Sequence, residues 1–442
     1  MQKKIKEFGR SKFVRSVMIV ATGTASAQAI TMAFSPIVTR QYGPEAFGIL
    51  GTFTAVLAVL TPLSALSYPF AIVLPKRDSD AVCLMKISIG ISLIVSFLTT
   101  LLLLTFKAAI INGLNLNSIE PYIFLLPISM LFYAWMTTMN QWVIRKRLFN
   151  VSARASVFQA ISLNSAKAGV GFFLPVSATL VSLAALSSVT HALLLWIGML
   201  KNQPDFFLKK EFNFSTIKKL IFQYRDFCFY RTPQVALNSA AQSMPVLILA
   251  NLFGVTAAGH YSLGLMVMLM PISLLGSAVG DVFYPKVSEA FNSKERIFNL
   301  LFKSTLALLC MGLLPFGIVL FFGPDIFSFV FGEKWLTAGE YASWLSIWLI
   351  FMLADQPAVK TLPVLSSQRF YLSYTVLTIL ARALALYLGS TLFEDDVCAI
   401  ALFSITSMVL NIALILAIFR ICLRHDNDLY GTEVHLKTLQ KK

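Results

Sequence analysis

The segment Tyr42-Gly43-Pro44-Glu45-Ala46-Phe47-Gly48 returns later in the chain, in altered form, as Phe253-Gly254-Val255-Thr256-Ala257-Ala258-Gly259. Each copy lies between two long apolar stretches, and its glycines at 43 and 48 are 211 residues from those at 254 and 259. Pro75 and Pro285 keep nearly the same spacing, and Asn140-Gln141 pairs with Asp355-Gln356 at 215. The order and spacing of these pairs predict two copies of one unit.

Composition places both copies in a membrane. Of the 442 residues, 57% are hydrophobic and only 13% are charged, whereas an average soluble domain is about 45–50% apolar and about 25% charged. So little charge cannot cover the surface of a water-soluble protein of this size. This excludes a soluble enzyme, a disordered chain and a nucleic-acid-binding domain, and we expect an all-α polytopic membrane protein.

Twelve segments are long and apolar enough to span a bilayer, which takes about 20 residues in a helix. They are residues 17–38, 46–70, 87–106, 121–143, 155–175, 177–200, 228–252, 257–282, 300–322, 338–356, 370–390 and 397–420. Six spans in each copy give both halves the same orientation, so the pseudo-twofold axis runs along the membrane normal. The substrate path then lies between the halves.

The predicted organisation has four parts: a six-helix lobe (1–200), a connection (201–227), a second six-helix lobe (228–423) and a tail (424–442). The connection mixes aromatic and aliphatic residues with lysines. This mixture suits a helix lying in the lipid headgroup region, and a simple tether is an equally good interpretation.

The basic residues predict the orientation of the spans. If the N-terminus is cytoplasmic, 31 of the 36 Lys and Arg lie in cytoplasmic segments, and only Arg40, Lys107 and Lys334 lie on the opposite side. Cytoplasmic loops concentrate Lys and Arg, so both termini are expected in the cytoplasm. The start resembles a signal peptide ending at Ala25-Ser26-Ala27, but its apolar character continues to Val38, and we expect the segment to be retained.

Two cations remain inside the predicted spans. Lys167 lies in the fifth span and Arg382 in the eleventh, so they are counterparts in the repeat. A charge inside the bilayer is costly and usually faces a cavity or a partner. We predict that both bind an anionic head group in a shared cavity, although each can instead neutralise an acid or reach the interface. Arg40, at the outer end of the first span, is a third candidate contact, for cargo or for lipid phosphate.

Two acids are candidates for ion coupling or gating. Asp355 ends the tenth span in Asp355-Gln356-Pro357, and Asp281 ends the eighth. Either can bind a proton or Na⁺, and either can be an ordinary acid at a helix end. The sequence contains no Walker A loop, no HExxH and no Gly-x-Ser-x-Gly. We therefore expect a transporter without cofactor or metal, driven by an H⁺ or Na⁺ gradient, the membrane potential or the cargo gradient.

The segment Thr39-Arg40-Gln41-Tyr42-Gly43-Pro44-Glu45-Ala46-Phe47-Gly48-Ile49 resembles the first outer loop of bacterial polysaccharide repeat-unit flippases, the Wzx-type O-antigen translocases. These belong to the multidrug/oligosaccharidyl-lipid/polysaccharide (MOP) exporter superfamily. The resemblance implies a two-lobed fold in the bacterial inner membrane. It implies that undecaprenyl-pyrophosphate-linked oligosaccharide passes from the cytoplasmic to the periplasmic leaflet, with membrane lipids, a polysaccharide polymerase and a chain-length regulator as expected partners.

Two other functions compete with a flippase. A multidrug or cation antiporter of the same superfamily favours an acidic cavity, whereas the charges within spans here are Lys167 and Arg382. A membrane-embedded polysaccharide polymerase or ligase carries its chemistry on large outer loops, and the predicted outer loops are short. Both alternatives therefore fit less well than the transport of an anionic lipid-linked sugar.

Overall fold

The computed structural model describes residues 12–202, 214–293, 295–365 and 367–439, without the side chains at 12–18, 214, 274, 276–282, 284–285, 292, 368–369 and 428–439. Within these ranges the chain forms fourteen α-helices and no strand. They are α1 (Lys12–Gln41), α2 (Pro44–Leu60), α3 (Asp78–Leu114), α4 (Leu125–Arg145), α5 (Phe149–Gly171), α6 (Ser177–Asn202), α7 (Phe214–Gln223), α8 (Thr232–Leu252), α9 (Val255–Asn292), α10 (Ile297–Phe331), α11 (Leu336–Ala354), α12 (Gln356–Thr361), α13 (Gln368–Phe393) and α14 (Asp396–Leu439).

Nine segments of the described chain are helical, long and apolar enough to cross a membrane. They match nine of the predicted spans, and the all-α polytopic membrane fold is therefore confirmed. The first, fourth and fifth predicted spans correspond to α1, α4 and α5, of 30, 21 and 23 residues. These three helices are long enough to cross a bilayer but less apolar, and α5 carries Arg154, Asn164 and Lys167.

The chain forms two compact units, Met1–Gly259 and His260–Lys442. In the first unit α1 packs along α5, α4 against α6, and α2 against α8. In the second unit α10 packs against α11, and α14 packs against α11 and α13. Gly323 and Gly339 allow the closest approach of α10 and α11, because a Cβ on either would lie 2.5–2.6 Å from backbone of the other helix. Small residues of this kind commonly mediate helix packing in lipid.

The two copies of the repeated motif contact each other within the first unit. A Cβ added to Gly48 would lie 1.6 Å from the carbonyl oxygen of Val255, and one added to Gly259 would lie 1.9 Å from that of Pro44. The contact is reciprocal, since Pro44 and Val255 are themselves counterparts in the repeat. The first turns of α2 and α9 therefore cross with their backbones in direct contact.

The second predicted span, 46–70, is not one continuous helix. The α-helix ends at Leu60 and is followed by 3₁₀ turns at Thr61–Leu63 and Tyr68–Val73. The physical reason is the pair of prolines, Pro62 and Pro69, which cannot donate backbone hydrogen bonds and which disfavour α-helix at the preceding residue.

Only part of the connection 201–227 lies within the described residues. There α7 packs against α3 and buries Leu220 in the cluster around Trp142, while Lys218 and Lys219 are more exposed to solvent. This part of the connection is an amphipathic helix, and its position in the headgroup region stays a prediction. The predicted lobe and tail boundaries also stay predictions, and α14 continues as one helix to Leu439.

Candidate functional site

Lys167 lies where α5 meets the end of α1. The hydroxyl of Tyr42 donates to the backbone carbonyl of Lys167 at 3.1 Å. One turn earlier, the side-chain amide of Asn164 donates to the hydroxyl of Thr31 at 3.1 Å. Polar side chains from both helices therefore line this contact.

Gly171 allows α5 to approach the Gln41 side chain, since a Cβ there would lie 2.2 Å from the Gln41 Oε1. Both polar atoms of the Gln41 amide are buried without a hydrogen-bond partner among the described residues. Such a group is costly to bury unless a polar ligand or water completes it. The unsatisfied Gln41 amide therefore lies beside α5 about one helical turn beyond Lys167.

The Lys167 side chain is half-buried, and no carboxylate in the described part of the chain lies within 4.0 Å of its ammonium group. The helix begins at Phe149, six residues before the predicted span. At 1.5 Å per residue, Lys167 lies about 27 Å along α5 and four residues before its end. Lys167 is therefore closer to the end of its helix than the predicted span, 155–175, implied.

Arg382 lies near the middle of α13, in the second unit. Its guanidinium carbon is 4.8 Å from the ring centroid of Trp348 and 5.9 Å from that of Phe403. These rings meet edge to face with centroids 5.4 Å apart. Cations are attracted to aromatic faces, more strongly where water is excluded. The rings hold the guanidinium inside its own unit, and its Nε is buried without a partner among the described residues.

Asp355 is the acid that acts on Arg382. Asp355 is only 7% exposed and lies at the junction where α11 ends and α12 begins. The Gln356 amide donates to its carboxylate at 3.4 Å. The opposite charges of Asp355 and Arg382 attract through space, without a direct ion pair in the described structure. The structure thus brings together two predicted residues that were assigned separate roles.

The remaining predicted residues are Arg40 and Asp281. Arg40 is exposed in the last turn of α1, where a cation favours the negative end of the helix dipole. Asp281 lies in α9, and its side chain is outside the described part of the structure. None of the described His, Cys, Asp and Glu residues form a group of three able to hold a metal ion.

Sequence reasoning missed Trp348, Phe403 and Asn164. Trp348 and Asp355 are seven residues apart, a spacing that places two residues on the same side of a helix. The sequence could therefore have linked Trp348 to the predicted acid. Phe403 lies on another helix, and no spacing relates it to Arg382. Asn164 lies three residues before Lys167 and therefore on the same face of α5, a spacing that links it to the predicted cation.

These features define a helical, polytopic membrane fold with cations and a buried acid inside its bundles. A model of the family described as polysaccharide biosynthesis protein matches residues 37–340. The chain therefore belongs to this polysaccharide biosynthesis family. No curated protein sequence matches it significantly.

Solved structures share the fold. An inward-facing multidrug resistance MATE transporter of the MOP superfamily superposes with a TM-score of 0.72 at 12% identity, covering 94% of this chain and 99% of its own. The lipid II flippase MurJ, in an inward closed conformation, gives 0.67 at 13% identity, with 95% and 93% covered. A MOP superfamily transporter from Pyrococcus furiosus gives 0.61 at 12% identity, with 94% and 96% covered. The fold is that of the MOP superfamily.

Proposed function

We propose that this protein flips undecaprenyl-pyrophosphate-linked oligosaccharides from the cytoplasmic to the periplasmic leaflet of the bacterial inner membrane. It does so by alternating access and serves the assembly of O-antigen or another surface polysaccharide. Three findings support the proposal: membership of a polysaccharide biosynthesis family, the MOP fold, and its occurrence in a lipid II flippase. Polymerase and chain-length regulator remain proposed partners.

The observation that carries the proposal is the environment of Lys167. A half-buried ammonium group without an acidic partner among the described residues needs an anion to offset the cost of its position in a membrane. A pyrophosphate supplies this anion, and the unpartnered Gln41 amide nearby can donate to one of its oxygens. Arg40 lies on the same helix as Gln41, beyond which the chain turns into α2, and we propose that it contacts the cargo during release.

Asp355 and Arg382 are the proposed coupling pair of the second unit. When Asp355 is ionised, its charge opposes that of Arg382. When Asp355 takes up a proton or binds Na⁺, the positive potential of Arg382 is no longer offset and becomes available to an anionic cargo. The pair thereby links ion binding to cargo binding, and Asp281 remains a second proposed coupling acid.

The test replaces Lys167 in a strain that depends on this protein for surface polysaccharide. We expect Lys167→Ala to lower the rate of polysaccharide export about 10- to 100-fold, the value of one charge-assisted hydrogen bond, while lipid-linked precursor accumulates. Lys167→Arg should restore much of the export, since it keeps the charge. Polysaccharide is measured on gels and precursor by mass spectrometry of extracted lipid.

Lys107→Ala is the matched control. Lys107 pairs with Glu120 at 2.9 Å and both side chains are solvent-exposed, so its loss should cost little and leave export unchanged. Unchanged surface polysaccharide in a chain carrying both Lys167→Ala and Arg382→Ala, at normal protein levels, would show that these cations do not bind the cargo.

A further inference from the structure

The break in the second predicted span exposes an unusual backbone. Leu66 and Ser67 have φ angles of 48° and 56°, the left-handed region that non-glycine residues seldom adopt. Such conformations persist where the surroundings enforce them and concentrate at binding sites. Thr232 donates its hydroxyl to that of Ser67 at 3.0 Å, and Tyr68 donates to the carbonyl of Ile221 at 3.1 Å. The start of α8 and the end of α7 thus hold the break in place.

A cleft of about 80 Å³ opens beside this break, within the first unit. It lies between the broken segment, the middle of α4 and the first turns of α8. Its lining contains six hydroxyl groups: Thr61, Ser64, Ser67, Tyr133, Thr137 and Ser239. Irregular backbone at membrane depth is tolerated where it is buried in protein or lines a water-filled cavity, and discontinuous helices commonly form substrate sites in transporters.

Two of these hydroxyls are available to a ligand. Thr61, Ser64 and Thr137 donate to carbonyls of their own turns, and Ser67 receives the bond from Thr232. Tyr133 and Ser239 are the two cleft residues whose hydroxyls have no hydrogen-bond partner in the described structure. They lie on α4 and α8, so a ligand between them would be held from both sides.

A cation lies at the same cleft. The guanidinium carbon of Arg231 is 4.5 Å from the ring centroid of Phe70, and Phe70 lines the cleft. Arg231 is exposed and has no carboxylate partner within 4.0 Å among the described residues. Its planar fork suits the oxygens of a phosphate group. Hydroxyls and a cation side by side match a sugar bonded to phosphate.

We propose that this cleft binds the sugar ring next to the phosphate of a lipid-linked saccharide, which rests on the flippase function proposed above. The hydroxyls of Tyr133 and Ser239 hydrogen-bond the sugar, and Arg231 contacts the phosphate. The cleft is small, about 80 Å³, and we expect it to contact only the sugar bonded to the phosphate. A site built to hydrogen-bond a hydroxyl rejects an analogue that lacks it.

The experiment measures binding to the purified full chain in nanodiscs. The probes are farnesyl pyrophosphate and the same lipid carrying one glucose, galactose, N-acetylglucosamine or N-acetylgalactosamine. We expect at least one glycosylated probe to bind more tightly than the bare one. The double variant Tyr133→Phe/Ser239→Ala should lower this preference about 5- to 100-fold, the value of two neutral hydrogen bonds, without changing the affinity for bare farnesyl pyrophosphate.

Arg231→Gln should weaken all five probes by the same factor, because every probe carries the phosphate. Tyr387→Phe is the matched control, an exposed tyrosine of the second unit, and should leave every affinity unchanged. The proposal is overturned if no sugar improves binding of the wild-type chain, or if the double variant keeps the wild-type preference. Failure of the flippase function itself is a different result, in which none of the probes binds and no lipid is flipped.

Discussion

At the scale of single residues, Asp355 and Arg382 are unusual because they are opposite charges inside the second unit without a direct ion pair in the described structure. The buried carboxylate and the half-buried guanidinium both lose hydration, and they regain less than a contact pair because they attract only through space. The aromatic rings of Trp348 and Phe403 stabilise the cation. Among the described residues, the carboxylate accepts one long bond, from Gln356, and it can take up a proton whereas a guanidinium stays charged.

Asp355→Asn should uncouple transport from the ion gradient. The change is isosteric and keeps a hydrogen-bonding group, so the chain should fold. In proteoliposomes, a gradient equivalent to about 100 mV acting on one charge changes the rate by up to about 50-fold. We expect this dependence in the wild-type chain and its absence in Asp355→Asn, measured as flipping of a fluorescent lipid-linked sugar with and without imposed H⁺ or Na⁺ gradients.

Asp395→Asn is the control for this change. Asp395 precedes α14 outside the spans, and hydrogen bonds from Cys398 and Val397 hold the pKa of its carboxyl below its usual value. Asp395 should therefore stay ionised near neutral pH, and Asp395→Asn should leave the gradient dependence of transport intact. If Asp355→Asn transports with full gradient dependence, Asp355 is not the coupling acid.

The sequence identified which residues are chemically unusual better than it identified their neighbours. Lys167, Arg382 and Asp355 stand out because charge is rare in apolar spans. The contacts of Arg382 with Phe403 and of Lys167 with Tyr42 join positions 21 and 125 residues apart, and nothing in local spacing encodes them. The end of α5 also differs from the predicted span, and this moved Lys167 along the helix. Small residues and serines at both ends of α5 gave no sharp hydropathy boundary.

At the scale of helices, the two motif copies pack with their backbones in contact, at the first turns of α2 and α9. The sequence predicted the repeat, and the structure adds that the repeated glycines pack against each other's motif. Here Gly48 meets Val255 and Gly259 meets Pro44. The broken second span was not predicted, because a proline in an apolar run is compatible with either a kink or a full break.

Gly48→Ala should destabilise the chain. The ideal position of the new Cβ is 1.6 Å from the carbonyl oxygen of Val255. The two backbones would therefore have to move apart. Overpacking of this kind costs about 1–3 kcal/mol. We therefore expect a lower melting temperature of the purified protein in detergent, measured by tryptophan fluorescence. Gly259→Ala should behave alike.

Gly43→Ala tests whether any glycine change in this motif is harmful. A Cβ there meets nothing within 4 Å, and the residue has an ordinary φ of −75°, so the melting temperature should not fall. Equal melting temperatures for Gly43→Ala and Gly48→Ala would mean that the helix crossing is loose.

At the scale of the whole molecule, the predicted orientation places most of the basic residues on one side of the membrane. The predicted arrangement puts 31 of 36 Lys and Arg on one face of the membrane. Most basic residues therefore serve the orientation of the chain, and a cation that binds the cargo has to be distinguished from them by its surroundings. Arg145 belongs to this majority, since it bonds Asp78 and the carbonyls of Ile72 and Pro75 at one end of α3 and α4. Lys167 differs because it has no such partner in the described chain.

The predicted orientation can be measured directly with single cysteines. Ser118 lies between α3 and α4, Thr391 in the last turn of α13, and Ser79 at the start of α3. In a variant whose five native cysteines, all unpaired, are replaced, a membrane-impermeant maleimide added to intact spheroplasts should label Ser118→Cys and Thr391→Cys. It should label Ser79→Cys only after permeabilisation. The opposite result would invert the chain, and the cations assigned here to the cytoplasmic face, Arg231 among them, would then lie on the periplasmic side, where a flipped sugar is released.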